Sequence, residues 1–397
     1  MLWGRPLPEQ VGQPLVLKTL FEQALAANPE NANLHAKLGY LYVDGKDYTN
    51  AAATFANALR FGHPPHEISV LLARCYNYLK RHHDALAVLA SYGEAAFERG
   101  RALMELGDTA VAEREFRRVL AEHYDDAPAC RMLCRILRRG DRIAEIVELC
   151  ETLAARGASN AQMLFNWGWA LALAGDSERA RRLMFEPERI ICEMLPVPGG
   201  HLALKTFNDG LAEEILSSPN KLSDFPVEDE ANRGSQRIDN LFLGQRPDLI
   251  DDLLKAIENA VAAYSPIAQQ GFDPWPRCRP AAARLRAWGL IQRAGQYEEG
   301  HIHPGGWLSG VYYVRVPEFV SRQPPGPGCI EFQPPSAIAK AMPDFAPTKR
   351  YVPREGMLLL APSHYQHRTI PSGIEEDRIS IAFDVVREIR DDASRRI

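Results

Sequence analysis

The chain has 397 residues, of which 46% are hydrophobic and 24% charged, and its formal net charge at pH 7 is -5. This length exceeds what one ordinary hydrophobic core accommodates, so we expect two domains. The weakly acidic balance offers no basic surface that would neutralise phosphates, which argues against a nucleic-acid partner. No stretch approaches about 18 uninterrupted apolar residues, and the segment MLWGRPLPEQ lacks signal-peptide features, so we expect a cytoplasmic protein without membrane association.

The first half of the chain repeats itself at a fixed spacing. Gly100 and Phe116 recur 68 residues later as Gly168 and Met184, and 68 is twice a period of about 34 residues. Small residues let two antiparallel helices approach closely, and the large residue fills the groove between them. The pattern therefore predicts about five stacked helical hairpins, an α-solenoid over residues 16–190.

One repeat carries a resemblance to a known family. The stretch NLHAKLGYLYVDGKDYTNAAATFANALRFGHPP has Leu38, Gly39 and Tyr42 on its first predicted helix and Ala51 and Phe55 on its second. In this it resembles the tetratricopeptide repeat almost position by position. The resemblance implies a groove that binds a peptide or protein segment and performs no chemistry itself. A homodimer formed through the repeats is a further expectation.

The character of the sequence changes after the Pro/Gly cluster LPVPGG, where we place the start of a second domain over residues 195–392. Two helical patterns come first and are expected to flank a β-sheet region. Five strand-like segments then occur, each bounded by Gly, Pro or Ser: RLRAWGLIQRAG, WLSGVYYVRVP, GCIEFQPP, GMLLLAPS and RISIAFDVV. Their long Pro-rich connections predict an antiparallel sandwich rather than a parallel sheet. The whole chain is thus expected to be a multidomain α + β protein.

Chemistry-bearing residues cluster at the ends of these strands. His301 and His303 precede one strand, and His367 follows another. Arg378 and Ser380 lie two positions apart on the last strand, so their side chains point to the same face. A buried arginine needs an anion, and its planar fork fits a carboxylate with two hydrogen bonds.

The stretches HIHPGGWLSGVYYV, EGMLLLAPSHYQH and DRISIAF resemble the Fe(II)/2-oxoglutarate oxygenases, in particular a subfamily with His-x-His-Pro before Ser-Gly-x-Tyr-Tyr. The resemblance implies a double-stranded β-helix, or jelly roll, with Fe(II), 2-oxoglutarate and O2 as cofactor and cosubstrates. It also implies that Arg378, in an Arg-x-Ser sequence with Ser380, binds the far carboxylate of 2-oxoglutarate. Because Ser309 and Tyr313 share one face of their strand, they are candidates to hydrogen-bond the cosubstrate if that face is inward.

The sequence departs from the family at one ligand. Iron is commonly held by a His-x-Asp/Glu pair and a distant histidine, but here His303 occupies the carboxylate position. Either His301, His303 and His367 bind the iron, or a carboxylate such as Glu331 completes the site, and the first arrangement is favoured. His364, three residues before His367, is a competing distal ligand, although the family spacing favours His367.

The resemblance implies an enzyme that converts 2-oxoglutarate to succinate and CO2 while hydroxylating a C–H bond. Fusion to repeats favours a side chain of a peptide or protein as the substrate. One alternative is a biosynthetic oxygenase acting on a small molecule, with repeats that dimerise or recruit a partner. Another is a repeat scaffold carrying an inactive oxygenase domain.

Overall fold

The computed structural model describes residues 2–3, 14–92, 95–201, 203–219, 221, 231–241, 248–264, 272–322, 324–341 and 348–388. The chain divides into two compact units. Among the described residues, the helical unit takes in those from 14 to 140, and the mixed unit takes in residues 2–3 and those from 141 to 388. The boundary predicted between residues 190 and 195 stays a prediction, and its far limit, residue 392, lies outside the described residues.

The helical unit consists of consecutive helices joined by short turns: α1 (Pro14–Ala27), α2 (Ala32–Asp44), α3 (Tyr48–Arg60), α4 (Pro65–Tyr78), α5 (His82–Tyr92), α6 (Ala96–Glu105), α7 (Thr109–Glu122) and α8 (Ala127–Arg139). Short polar side chains begin several of them. Asn31, Asp47, Asp108 and Asp126 each accept a hydrogen bond from a backbone N–H in the first turn, which satisfies a donor that the helix leaves free.

Neighbouring helices form antiparallel hairpins, α2 with α3, α4 with α5 and α6 with α7. A Cβ atom added at Gly39 would overlap the ring of Phe55, and one at Gly100 would lie 2.9 Å from a ring carbon of Phe116. Each glycine therefore leaves room for the large side chain of the following helix, as the repeat pattern predicts. The α-solenoid is confirmed, and its core lies along these contacts.

The mixed unit contains three more helices of the same kind, α9 (Ile143–Ala155), α10 (Ala161–Leu173) and α11 (Ser177–Met184). Here Met184 fills the space beside Gly168. Further along the unit lie α12 (Leu204–Ser217), α13 (Asp248–Ala263), α14 (Glu318–Arg322) and α15 (Ser336–Ala341). The two helical patterns predicted before the strands correspond to α12 and α13.

The strands of the mixed unit are β1 (Leu2–Trp3), β2 (Ile191–Met194), β3 (Asn232–Arg233), β4 (Gln236–Ile238), β5 (Ala282–Gln292), β6 (Tyr297–Glu298), β7 (Leu308–Arg315), β8 (Ile330–Phe332), β9 (Lys349–Tyr351), β10 (Met357–Pro362), β11 (His367–Thr369) and β12 (Arg378–Arg387). The main sheet has the order β1-β5-β12-β7-β10-β2, with β4 also paired to β5, and a second sheet has the order β11-β8-β9. Apart from the parallel β1–β5 pair, these strands pair antiparallel. The predicted jelly roll with flanking helices is confirmed, and all five predicted strands are present.

The central strand β12 shows how the sheet separates its core from its site. Its odd-numbered residues from Ile379 to Val385 are apolar and fully buried. Side chains alternate between the two faces of a strand, so Arg378, Ser380 and Asp384 point to the other face, and they are buried as well. Buried polar side chains on one face indicate a polar interior between the sheets.

Among the described residues, no helix combines the length and the apolar character needed to cross a bilayer.

Candidate metal centre

Backbone hydrogen bonds bring the two histidine segments together. His301 and His367 form an isolated antiparallel bridge, in which each N–H donates to the carbonyl oxygen of the other at 3.0 Å. The N–H of His303 donates to the carbonyl oxygen of Ser363 at 2.9 Å. The last residue of β10, Pro362, pairs with the first residue of β7, Leu308. The segment that leads from β10 into β11 therefore lies beside the segment that leads into β7.

The three imidazoles converge on one point. The Nε2 atoms of His303 and His367 are 3.2 Å apart, and the ligating atoms of His301, His303 and His367 lie within 4.8 Å of one another. Within the part of the chain that the structure describes, this is the one group of histidine, cysteine or carboxylate side chains close enough to hold a metal ion. The structure thus brings together the three histidines that the sequence singles out.

The second nitrogen of each ring is already occupied. Nδ1 of His301 lies 2.7 Å from the carbonyl oxygen of Glu299, and Nδ1 of His367 lies 3.0 Å from that of Tyr365. Nδ1 of His303 lies 2.6 Å from a carboxylate oxygen of Asp384. These partners only accept hydrogen bonds, so Nδ1 carries the proton in each ring and the Nε2 lone pairs are left for a metal.

The protonation state also suits a metal. Burial, together with the neighbouring His303, lowers the pKa of His301 to about 4. Burial and the two neighbouring imidazoles lower the pKa of His367 well below its usual value. Both rings are therefore neutral at pH 7, which is the form that binds metal ions.

Asp384 is a site residue that the sequence reasoning missed. It is fully buried, and its Oδ1 accepts hydrogen bonds from Nδ1 of His303 at 2.6 Å and from the Ser309 hydroxyl at 2.8 Å, while Oδ2 pairs with Nη2 of Arg286 at 2.7 Å. Burial alone would raise the pKa of this carboxyl, but His303 and Arg286 outweigh it and lower the pKa. The available signal was its position on the same strand face as Arg378 and Ser380.

Arg378 and Tyr313 lie on the inner face of the main sheet. Arg378 is buried, its Nη1 donates to Gln292 at 2.8 Å, and its Nε has no hydrogen-bond partner. The Tyr313 hydroxyl is also buried without a partner, and the Arg378 guanidinium carbon is 5.3 Å from the Tyr313 ring centre. Ser380 is buried and pairs in register with Tyr313. Unpaired buried donors are costly, so these side chains fit a ligand that supplies a carboxylate.

Three other candidates have different surroundings. Both oxygens of Glu331 are paired with arginines, Oε2 with Arg350 at 2.5 Å and Oε1 with Arg368 at 2.7 Å, and Glu331 is outside the metal cluster. Nε2 of His364 donates to the carbonyl oxygen of Leu183 at 2.7 Å, so it too is outside the cluster. The Ser309 hydroxyl is bound to Asp384 and to Ser363, and its role toward the cosubstrate stays a prediction.

Residues 286–384 match the model of a family described as "Putative 2OG-Fe(II) oxygenase". The C-terminal region contains a 2OG-Fe(II) oxygenase domain. The family of this oxygenase domain implies Fe(II), 2-oxoglutarate and O2. Three imidazole Nε2 atoms suit Fe(II), and the unpaired Arg378 Nε and Tyr313 hydroxyl suit a carboxylate, so the side chains of the oxygenase domain fit these groups. A search of curated proteins found no match.

Solved structures resemble parts of the chain at low identity. A prolyl-4-hydroxylase from Pseudomonas putida is 18% identical with a TM-score of 0.33, over 51% of this chain and 94% of its own. HygX from Streptomyces hygroscopicus, solved with nickel and 2-oxoglutarate, is 13% identical with a TM-score of 0.34, over 52% and 88%. YrrB, described as a tetratricopeptide-repeat protein with an unusual peptide-binding site, is 17% identical with a TM-score of 0.32, over 41% and 88%.

Proposed function

We propose that the protein is an Fe(II)- and 2-oxoglutarate-dependent dioxygenase that hydroxylates a C–H bond of its substrate. The observation that carries this proposal is the convergence of three imidazoles on one point, in a domain with a buried, partly unpaired arginine. When bound, iron with 2-oxoglutarate and O2 supplies the oxidising chemistry that no amino-acid side chain provides.

The side chains of this chain hold and orient the reactants. His301, His303 and His367 offer their Nε2 lone pairs, while their Nδ1 protons are donated to fixed acceptors that keep each ring in place. Arg378 binds the far carboxylate of the cosubstrate through its free donor edge, and Gln292 holds the guanidinium in that orientation.

Aromatic neighbours limit the access of water to the imidazoles. The Trp288 ring is stacked on His303 with centroids 5.5 Å apart, and the Phe332 ring is 5.4 Å from that of His367. A site shielded from water strengthens the charge interactions of a bound dicarboxylate and protects the reaction from side products.

The first test is succinate formation from 2-oxoglutarate with Fe(II) and O2. We expect wild type to form succinate slowly without added substrate, and His367→Ala to abolish it. The matched control is His364→Gln, which changes a buried histidine of the same segment outside the cluster and should retain turnover. Equal turnover in wild type and His367→Ala, or none in either, would contradict the proposal.

For the substrate we propose a side chain of a peptide or protein held by the helical repeats. In the helical unit, Arg74 and Arg101 both pair with the buried Glu98, and Arg101 stacks on Tyr78, so α4 and α6 place the two partly exposed arginines and Tyr78 side by side. Repeat arrays of this kind bind extended segments along such surfaces.

A photo-crosslinking side chain tests this assignment. Placed at Arg101, it should capture peptides from a digest of cellular protein, and those peptides should be 16 Da heavier after turnover with Fe(II) and 2-oxoglutarate, since hydroxylation adds one oxygen atom. The same side chain at the exposed Glu122 of α7 is the control. Equal capture at both positions, or captured peptides that never gain oxygen, would contradict a peptide substrate.

A further inference from the structure

Asp384 occupies the centre of a row of polar side chains that crosses three strands. In register it pairs with Arg286 of β5 on one side and with Ser309 of β7 on the other. Both neighbours bond to its carboxylate, Arg286 to Oδ2 and Ser309 to Oδ1. The carboxylate therefore lies on a strand that is paired on both sides, and this backbone pairing fixes its position.

A second layer of contacts fixes the row itself. The hydroxyls of Ser309 and Ser363 are 2.7 Å apart, and the backbone carbonyl of Ser363 accepts the N–H of His303. A Cβ atom added at Gly306 would overlap the Ser363 hydroxyl, so the small residue there makes room for this network. His303 is thus held from both its backbone and its ring by one connected set of hydrogen bonds.

The charge of this set differs from that of a site with a carboxylate ligand. Three imidazole ligands bring no negative charge to a dication. Asp384 brings one through the His303 ring, and its partner Arg286 has a half-exposed side chain whose charge is screened by water. The negative charge lies on the buried side of the pair, next to the metal ligand.

We propose that Asp384 is the positioning residue of the metal centre, which acts through His303 and takes the electrostatic place of the missing carboxylate ligand. Its carboxylate holds His303 in the Nδ1–H tautomer with Nε2 aimed at the cluster, and its charge strengthens the hold on a divalent cation. This inference deepens the proposed function and rests on it.

The test uses the full chain and Ni²⁺, a divalent ion that imidazole ligands suit. In Asp384→Asn the shape is kept and the charge removed, so the dissociation constant for Ni²⁺, measured by competition with a fluorescent chelator, should rise about 10- to 100-fold. With Ni²⁺ saturating, the affinity for 2-oxoglutarate, a dianion, should stay equal or increase, because the cavity becomes more positive. A merely structural role would weaken both.

The matched control is Glu331→Gln, the same chemical change at an equally buried carboxylate that is paired with two arginines and has no bond to a histidine. Its Ni²⁺ affinity should stay within about threefold of wild type. Wild-type Ni²⁺ affinity in Asp384→Asn, or parallel losses for Ni²⁺ and 2-oxoglutarate, would overturn the inference. If wild type itself bound no Ni²⁺, the proposed function would fail instead.

A measurement on the unsubstituted protein keeps the inference testable should Asp384→Asn not fold. Nitrogen-15 NMR of histidine-labelled, metal-free protein distinguishes the two imidazole tautomers. We expect the His303 proton on Nδ1, protected from exchange with solvent by its bond to Asp384. A proton on Nε2 would overturn the inference, because the ligating atom would then be blocked.

Discussion

His364 ties the segment that carries His367 to helix α11, and this contact should make the protein sensitive to acid. Its Nε2 donates to the carbonyl oxygen of Leu183, and burial lowers its pKa to about 3. In the unfolded chain the pKa of histidine is about 6.5. Between these values the unfolded chain binds more protons than the folded one, so the free energy of unfolding falls as the pH falls from about 6.5 to 3.

The lowered pKa of His364 sets the size of the effect. Each pH unit in this window removes about 1.4 kcal/mol from the free energy of unfolding, and the whole interval between pH 6.5 and pH 3 amounts to roughly 5 kcal/mol. His364→Gln has no proton to gain, and its amide can still donate to Leu183. At pH 7 this substitution should lower the free energy of unfolding by about 1–3 kcal/mol, because it strains or breaks a buried hydrogen bond. The stability gap to wild type should then shrink by about 1.4 kcal/mol per pH unit below 6.5.

Urea unfolding of the metal-free protein measures this gap. All six tryptophans belong to the mixed unit, and Trp275 lies 6.2 Å from the His364 ring, so tryptophan fluorescence reports the unit concerned. Transitions would be recorded at intervals between pH 7 and 5, with His123→Gln, at an exposed position of the helical unit, as the control. A parallel loss of stability in wild type and His364→Gln over this range would show that His364 does not gain its proton on unfolding.

Three further substitutions test other parts of the structure. Arg378→Gln removes the charged donor proposed to bind the cosubstrate, and 2-oxoglutarate binding to Ni²⁺-loaded protein, measured by calorimetry, should weaken about 10- to 100-fold while Ni²⁺ binding changes little. Gly39→Ala should destabilise the helical unit by about 1–3 kcal/mol in a circular-dichroism melt, because the added methyl overlaps the Phe55 ring, and Phe55→Leu should restore part of the loss. Gly310→Ala inserts a methyl against Phe383 inside the main sheet and should lower the stability of the mixed unit by a similar amount, seen in tryptophan fluorescence. Wild-type stability in Gly39→Ala or Gly310→Ala would contradict the close packing of these glycines against Phe55 and Phe383.

The elements that the sequence predicted are those whose signal is local. The pairing of Gly39 with Phe55 follows from a spacing that recurs along the chain, because each hairpin buries the same two positions. Four of the five predicted strands, β5, β7, β10 and β12, have at least six residues each and carry mostly buried apolar runs. The edge strand β2 has one half-buried and three exposed residues, so its sequence shows no such run and only its pairing with β10 defines it.

The candidate site also contains residues that the sequence identified and one that it did not. His301, His303, His367 and Arg378 were found because the sequence stretches around them resemble the Fe(II)/2-oxoglutarate oxygenases, and imidazole and guanidinium groups suit a metal ion and a carboxylate. Asp384 carries only a weak signal, because one aspartate on the same strand face as Arg378 and Ser380 is an ordinary feature of a sequence. Its importance depends on strand register, since a shift by one residue would turn it to the opposite face.

The histidines and the residues of β12 are held in place in different ways. The histidines come from segments at strand ends, where the chain can bend enough to aim three rings at one point. Their orientation then needs an external reference, and a carboxylate in the middle of a three-strand row moves less than any loop group could. The same strand carries Arg378 six residues earlier on the same face, so one strand sets the distance between the Asp384 carboxylate, which holds His303, and the arginine proposed to bind the cosubstrate. A register error in β12 would therefore impair the metal and the cosubstrate together, whereas the substitutions proposed for Asp384 and Arg378 should separate them.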